Sequence, residues 1–267
     1  MKILIIGGGN MGLTFARSFL STHIVTHDEL CVLEKSPEKA EELSKLNIGR
    51  IYGAPGPYIK EADLIILAVK PQDSAELFSR IAASLDGQQL ILSIMAGVKM
   101  ETISKSLECT KIVRAMPNLP AQVGVGMTVF TSSNDVTRIE LVTVQNLLNA
   151  TGKTLYVERE EMIDAATAIS GSGPAYVFYF MQALIESAQS MGFSKSESEL
   201  LSYQTFKGAI ELFNTYDFSC EEWIGKVSSR GGTTEAAFNV LKKDSTKEKF
   251  NNAVRAALDR AVELSRS

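Results

Sequence analysis

Residues 3–12 read Ile3-Leu4-Ile5-Ile6-Gly7-Gly8-Gly9-Asn10-Met11-Gly12, an apolar run leading into a Gly-x-Gly-x-x-Gly pattern. The run is a buried strand, and the glycines after it divide three tasks. Gly7 permits a tight turn, Gly9 lets backbone N–H groups approach a pyrophosphate, and Gly12 lets the next helix lie against its strand, with the helix N-terminus aimed at the anion. Alone the pattern is weak; its context makes it specific. A helical stretch over residues 13–20 follows, and a second strand, residues 30–33, ends in Glu34, 22 residues beyond Gly12. Dinucleotide folds place a ribose-binding carboxylate at about that distance. Gly7, Gly9, Asn10, Met11, Gly12 and Glu34 are therefore candidate cofactor-binding residues.

Outward from this motif, strand-like runs over residues 2–6, 30–33, 64–69, 90–94, 112–114 and 125–130 alternate with helical patterns over 37–46, 74–85 and 135–149. Several of the strands are apolar throughout, as strands covered on both faces are, so the expectation is α/β, a Rossmann-type doubly wound sheet. In such sheets ligands bind past the carboxyl ends of strands. Ala68-Val69-Lys70-Pro71 and Met116-Pro117-Asn118 stand there, adding Ala68, Val69, Lys70, Pro71 and Asn118 to the cofactor-binding candidates; Asn118 can hydrogen-bond the nicotinamide or its ribose. Lys70 also reads as a solvated lysine at a strand end, and Pro117 and Pro120 as loop-shaping residues.

After Glu158 the strand signals stop. Residues 162–169, 174–191, 194–216, a piece around Trp223, 234–241 and 246–265 read as helices, with Pro174 in a first turn and Ser194-x-x-Glu197 as a capping box. The chain divides into a dinucleotide-binding domain, residues 1–158, and an all-α domain, residues 159–267. The helix over 174–191 opens Ala175-Tyr-Val-Phe-Tyr-Phe-Met181, apolar on every side. A domain of about this size builds a limited core, so a second subunit is expected to cover that helix; a central helix enclosed by its own domain is the alternative.

The composition of the 267 residues, 45% hydrophobic and 22% charged with net charge -4, is that of an ordinary globular protein. No Lys/Arg-rich run or interleaved aromatic stripe marks a nucleic-acid surface. Cys31, Cys109 and Cys220 lack the spacing of a zinc site, and His23 and His27 are the only histidines, so neither a metal nor a disulfide framework is expected. The first residues read as a strand rather than a secretory signal, and no apolar run reaches the roughly 18 residues of a membrane span. A cytoplasmic location follows as the default.

Several motifs, taken together, resemble one family. Ile6-Gly-Gly-Gly-Asn10-Met11-Gly12, Ala68-Val69-Lys70-Pro71-Gln72, Arg114-Ala-Met116-Pro117-Asn118-x-Pro120, Asp164-x-x-Thr167-x-x-Ser170-Gly-Ser-Gly-Pro174-Ala-Tyr176 and Ser228-Ser229-x-Gly231-Gly232-Thr233-Thr234 are similar to 1-pyrroline-5-carboxylate reductases. The resemblance spans the chain, and its last two motifs are the most specific. It implies a Rossmann domain followed by a helical dimerisation domain, NADPH or NADH as cofactor, and reduction of a cyclic imino acid to L-proline, the last step of proline biosynthesis. The chain would be a homodimer or a higher oligomer built from dimers. The resemblance also sets Thr167 against the imine nitrogen, where its hydroxyl can hydrogen-bond the developing amine; bonding its own helix carbonyl is the plainer fate of such a threonine.

The loop Ser228-Ser229-Arg230-Gly231-Gly232-Thr233-Thr234 precedes a helix, so hydroxyls and free N–H groups surround a helix N-terminus suited to a carboxylate. Ser228, Ser229, Gly231, Gly232, Thr233 and Thr234 are the substrate-binding candidates, though Ser229 and Thr233 could be ordinary caps. Two departures from the family pattern stand out: Arg230 replaces a usual proline, and Tyr52-Gly-Ala-Pro55-Gly-Pro57-Tyr58 replaces a stretch that usually presents an asparagine to the adenosine. For the cofactor, Glu34 suits the ribose hydroxyl of NAD, whereas Lys35-Ser36 suits the 2′-phosphate of NADP. A β-hydroxyacid dehydrogenase shares the two-domain plan but needs a lysine on the helix over 174–191, which has none. A non-catalytic nicotinamide-binding regulatory protein is the other alternative.

Overall fold

The computed structural model describes residues 1–265. Among the described residues, 1–172 and 257–265 form one compact unit, and Gly173–Ala256 forms a second. The first unit is built on an eight-stranded sheet: β1 (Ile3–Ile6), β2 (Leu30–Leu33), β3 (Arg50–Tyr52), β4 (Leu64–Leu67), β5 (Leu90–Ser93), β6 (Ile112–Met116), β7 (Gly126–Ser132) and β8 (Gly152–Tyr156). Their spatial order is β3-β2-β1-β4-β5-β6-β7-β8, parallel except that β7 runs antiparallel to β6. The order reverses between β1, whose Ile3 pairs with Leu30, and β4, whose Leu64 pairs with the same Ile3. That reversal opens a crevice past the strand ends, where this fold binds ligands.

Every residue of β1 and β4 is buried because helices cover both faces. Ile3 and Ile5 join a core with Phe15 and Phe19 of α1 (Asn10–Ser21) and Leu43 of α2 (Pro37–Ser44). Leu4 and Ile6 face the opposite core, with Phe78 and Ile81 of α3 (Ser74–Ile81) and Ile103 and Leu107 of α4 (Met100–Leu107). Alternate strand residues thus feed opposite layers, as the two-residue period of a strand requires. α5 (Arg138–Asn149) adds Val144, Leu147 and Leu148 to the first core. β3, β8 and α4 were not evident in the sequence: β3 is a three-residue edge strand, and β8 is a half-polar edge strand, Gly-Lys-Thr-Leu-Tyr.

Past β8 come α6 (Glu161–Ala166) and a single π turn, Thr167–Gly171, closed by Ser172 N–H donating to the Thr167 carbonyl at 2.8 Å. The expected helix over 162–169 therefore changes its winding at Thr167, and such turns are frequent at functional sites. A buried charge cluster fastens this segment. Arg114, 1% exposed on β6, pairs with Glu160 at 2.9 Å and Asp164 at 2.7 Å. Asp164 also accepts from the Ser265 hydroxyl at 2.8 Å, and Glu160 from the Met100 N–H.

The second unit holds α7 (Gly173–Ser190), α8 (Lys195–Thr215), α9 (Cys220–Val227), α10 (Thr233–Lys243) and the first part of α11 (Thr246–Leu264). α8 opens with the expected capping box, in which Ser194 and Glu197 exchange side-chain-to-backbone bonds. Tyr176 and Phe180 of α7 meet Phe250 of α11 edge-on or tilted. Yet among the described residues no apolar side chain between Ala168 and Ala261 is buried; Phe178 and Tyr179 are 60% and 70% exposed. A helical unit without an apolar interior of its own is not stable alone, since burial is the main favourable contribution to folding. No helix among the described residues is long and apolar enough to cross a membrane.

Candidate functional site

At the reversal of strand order lies a cavity of about 300 Å³, lined by Ile6, Gly7 and Gly9 after β1, Leu33, Glu34, Lys35 and Lys39 after β2, and Ala68, Val69 and Lys70 after β4. Gly53, Pro55, Asp73, Glu76, Leu77 and Arg80 complete the wall. The glycines divide their tasks visibly. Gly7 has φ +105°, and a Cβ there would lie 2.7 Å from the Ala68 carbonyl oxygen, so the turn itself requires glycine. A Cβ on Gly12 would collide with the Gly7 carbonyl. Gly9 differs: it caps α1 at φ −66°, and a Cβ there would have only the Lys39 ammonium, 4.0 Å away, for a neighbour. Nothing in the protein demands a bare backbone at Gly9. A phosphate seated on the N-terminus of α1 would demand it, and the opening fits that group.

Asn10, Met11, Gly12, Ser36 and Pro71 do not line the cavity. Asn10 and Met11 open α1, Ser36 caps α2 by accepting from the Lys39 N–H, and Pro71 starts a short 3-10 turn. Glu34 is 8% exposed, and each of its oxygens is engaged, one by the Gly8 N–H at 2.9 Å and the other by the Ser36 N–H at 3.0 Å. It braces the glycine loop against α2. Lys35 bonds Asp73 at 2.9 Å, which raises its pKa from the ordinary lysine value. The loop from Tyr52 to Tyr58 closes on itself: the two rings stack at 3.7 Å, and the Tyr58 hydroxyl donates to the Ala54 carbonyl. Burial pushes the Tyr58 phenol up to about 12, so it remains a donor.

Asn118 bridges two elements. Its Oδ1 accepts from Met127 N–H at 2.8 Å and its Nδ2 donates to the Ser170 carbonyl at 3.0 Å. The amide thereby ties the π turn to β7, and a single N–H is left for anything else. Thr167 likewise spends its hydroxyl hydrogen on the Ile163 carbonyl at 2.8 Å. Its oxygen retains lone pairs that can accept.

In the helical unit, the loop before α10 turns through Gly231 at φ +73°. The Gly231 N–H donates to Glu235 and the Gly232 N–H to the Ser229 carbonyl. Gly232 is the cap residue and no side chain caps the helix, so Ser229 and Thr233 do not act as caps. The first intrahelical bond is Ala236 N–H to the Gly232 carbonyl, which leaves the amides of Thr233 and Thr234 ahead of the ladder. Among the described residues, no group of His, Cys, Asp or Glu is arranged to hold a metal ion.

Two roles here were not foreseen. Lys39 lies in the helix expected over 37–46, and only the fold brings it over Gly9. Arg114 did carry a signal, a charge inside the apolar strand Ile112-Val113-Arg114-Ala115-Met116, but its partners lie 46 and 50 residues away.

Comparison with known proteins agrees with this arrangement. Residues 2–97 match the family model described as NADP oxidoreductase, coenzyme F420-dependent, and residues 160–264 match that for pyrroline-5-carboxylate reductase dimerisation. The pyrroline-5-carboxylate reductase of Aquifex aeolicus is 33% identical over 99% of this chain and 97% of its own, and that of Synechocystis 34% over 99% and 98%. The solved pyrroline-5-carboxylate reductase of Coxiella burnetii superposes with a TM-score of 0.89 at 32% identity, covering 100% of this chain and 99% of its own. A Plasmodium falciparum pyrroline carboxylate reductase with NADP bound gives 0.89 at 28%, covering 99% and 98%. An imine reductase of Streptomyces aurantiacus, at 15% identity and a TM-score of 0.59, shares the fold. With its glycine loop, its helical unit and this full-length similarity, the chain belongs to the pyrroline-5-carboxylate reductase family of NAD(P)H-dependent oxidoreductases.

Proposed function

We propose that this chain reduces 1-pyrroline-5-carboxylate to L-proline, with the cofactor phosphates at Gly7–Gly12 and the substrate carboxylate at Ser228–Thr234. When bound, the reduced nicotinamide supplies the hydride. The protein's part is to seat both molecules and fix their orientation, which accounts for much of the catalysis in a reaction whose hard chemistry is the cofactor's. Gly9 gives the phosphates their close approach to α1. The amides of Thr233 and Thr234, with the hydroxyls around them, hold the carboxylate by charge-assisted hydrogen bonds.

Thr167 acts as an acceptor. Facing the imine nitrogen, its hydroxyl can hydrogen-bond the developing amine, and while it donates to the Ile163 carbonyl its oxygen is free to accept an N–H. A substrate that arrives already protonated is activated for hydride transfer without a histidine or lysine. The single observation that carries the substrate assignment is the N-terminus of α10, uncapped by any side chain although Ser228, Ser229, Thr233 and Thr234 adjoin it in the sequence. The active form is a homodimer, or a larger assembly of dimers, in which a second chain covers α7. It works in the cytoplasm, in keeping with three free cysteines.

The test is loss of reduced-nicotinamide absorbance with 1-pyrroline-5-carboxylate, run beside a β-hydroxy acid with oxidised cofactor. Turnover of the imino acid alone is the expected result. Tight cofactor binding without turnover of either would favour the regulatory protein.

A further inference from the structure

We propose that Lys39 is a phosphate-binding residue of the cofactor cavity, a reading that rests on the cofactor site above. The cavity holds four cations and three carboxylates, and most are already committed. Lys35 pairs with Asp73, Arg80 with Glu76 at 3.7 Å, and Glu34 with two backbone amides. Lys39 makes no ion pair with any described residue, is half-buried in the wall, and brings its ammonium to 4.0 Å from where a Gly9 Cβ would stand. Lys70, the other unpaired cation, is exposed after β4.

The backbone directs Lys39 there. Ser36 caps α2 and receives the Lys39 N–H, which sets the lysine in the first turn of a helix that starts three residues after Glu34. Because Glu34 is turned onto Gly8 and Ser36, its charge is partly neutralised by amides at the point where an anion must enter. A half-buried cation over a glycine loop with no carboxylate partner is complementary to a phosphate. Either the pyrophosphate common to both cofactors or the 2′-phosphate of NADPH supplies that chemistry.

Lys39→Met keeps the length and helix propensity while removing the charge, and Lys39→Arg restores it. Dissociation constants for NADH and NADPH, read from cofactor fluorescence in low and moderate salt with a melting curve for each variant, make the test. The expected result is a loss of about tenfold or more in Lys39→Met, recovery in Lys39→Arg, a shallower salt dependence and an unchanged melting point. Equal loss for both cofactors assigns Lys39 to the pyrophosphate; loss for NADPH alone assigns it to the 2′-phosphate. Unchanged affinity for both in Lys39→Met would overturn the proposal. An unmutated protein that binds neither cofactor would instead overturn the cofactor site itself.

Discussion

Replacing Gly9 with alanine separates folding from binding, because the added methyl group meets almost nothing in the protein. Its only neighbour is the Lys39 ammonium at 4.0 Å, the flexible end of a long side chain, and φ −66° with ψ −177° is open to any residue. The folding cost is the preference for glycine over alanine at a helix cap, under about 1 kcal/mol. The lower entropy of the unfolded alanine chain offsets about 0.4–1 kcal/mol of it. The melting temperature should therefore stay within a few degrees. Binding is another matter, since the methyl occupies the space a phosphate needs to reach the α1 amides. Loss of one charge-assisted bond, about 1.5–3 kcal/mol, weakens cofactor affinity roughly 10- to 150-fold. Gly7→Ala and Gly12→Ala are the controls. The first forces alanine to φ +105° against the Ala68 carbonyl, and the second drives a methyl into the Gly7 carbonyl, so both should lower the melting temperature. Fluorescence titration alongside calorimetry decides the matter. Gly9→Ala with normal cofactor affinity, or with a melting point depressed as far as Gly7→Ala, would refute the reasoning.

Thr234→Val should raise KM for the imino acid roughly 10- to 150-fold, from loss of a donor worth about 1.5–3 kcal/mol; since no side chain caps α10, its melting point should hold, and a lowered one with normal KM would return Thr234 to a structural role. Arg114→Met strands Asp164 in a buried setting and should cost about 3–5 kcal/mol, a fall in melting temperature of roughly 6–20 °C; an unchanged melting curve contradicts that reading of the cluster. Phe178→Glu places charge on the uncovered face of α7 and should disrupt association in light scattering and lower the melting point together, while a stable monomer in the unmutated protein would end the dimer assignment.

The sequence made some parts legible because their physical signatures are local. The strand before Gly7, the division of labour among three glycines, the Ser194 capping box and the apolar α7 all follow from residues a few positions apart. What stayed hidden depends on contacts distant in the chain. β3 and β8 owe their strand geometry to a neighbour rather than to their own composition, and nothing local says that β7 runs antiparallel to β6. Glu34 lines the cavity, and the bond it accepts from the Gly8 amide is visible only once β1 and β2 are paired. The partners of Asn118 and Thr167 within the fold, Ser170, Met127 and Ile163, are likewise invisible in the sequence pattern. A polar side chain beside an irregular turn is claimed by the turn's own unpaired groups.

The central claim, that this chain delivers hydride from reduced nicotinamide to the C=N carbon of a cyclic imino acid, is tested most directly by isotope transfer. Protein incubated with 1-pyrroline-5-carboxylate and cofactor deuterated at the transferring position of C4 should yield L-proline with a single deuterium at C5, seen by mass spectrometry. Absence of proline, or proline without the label, would contradict the account.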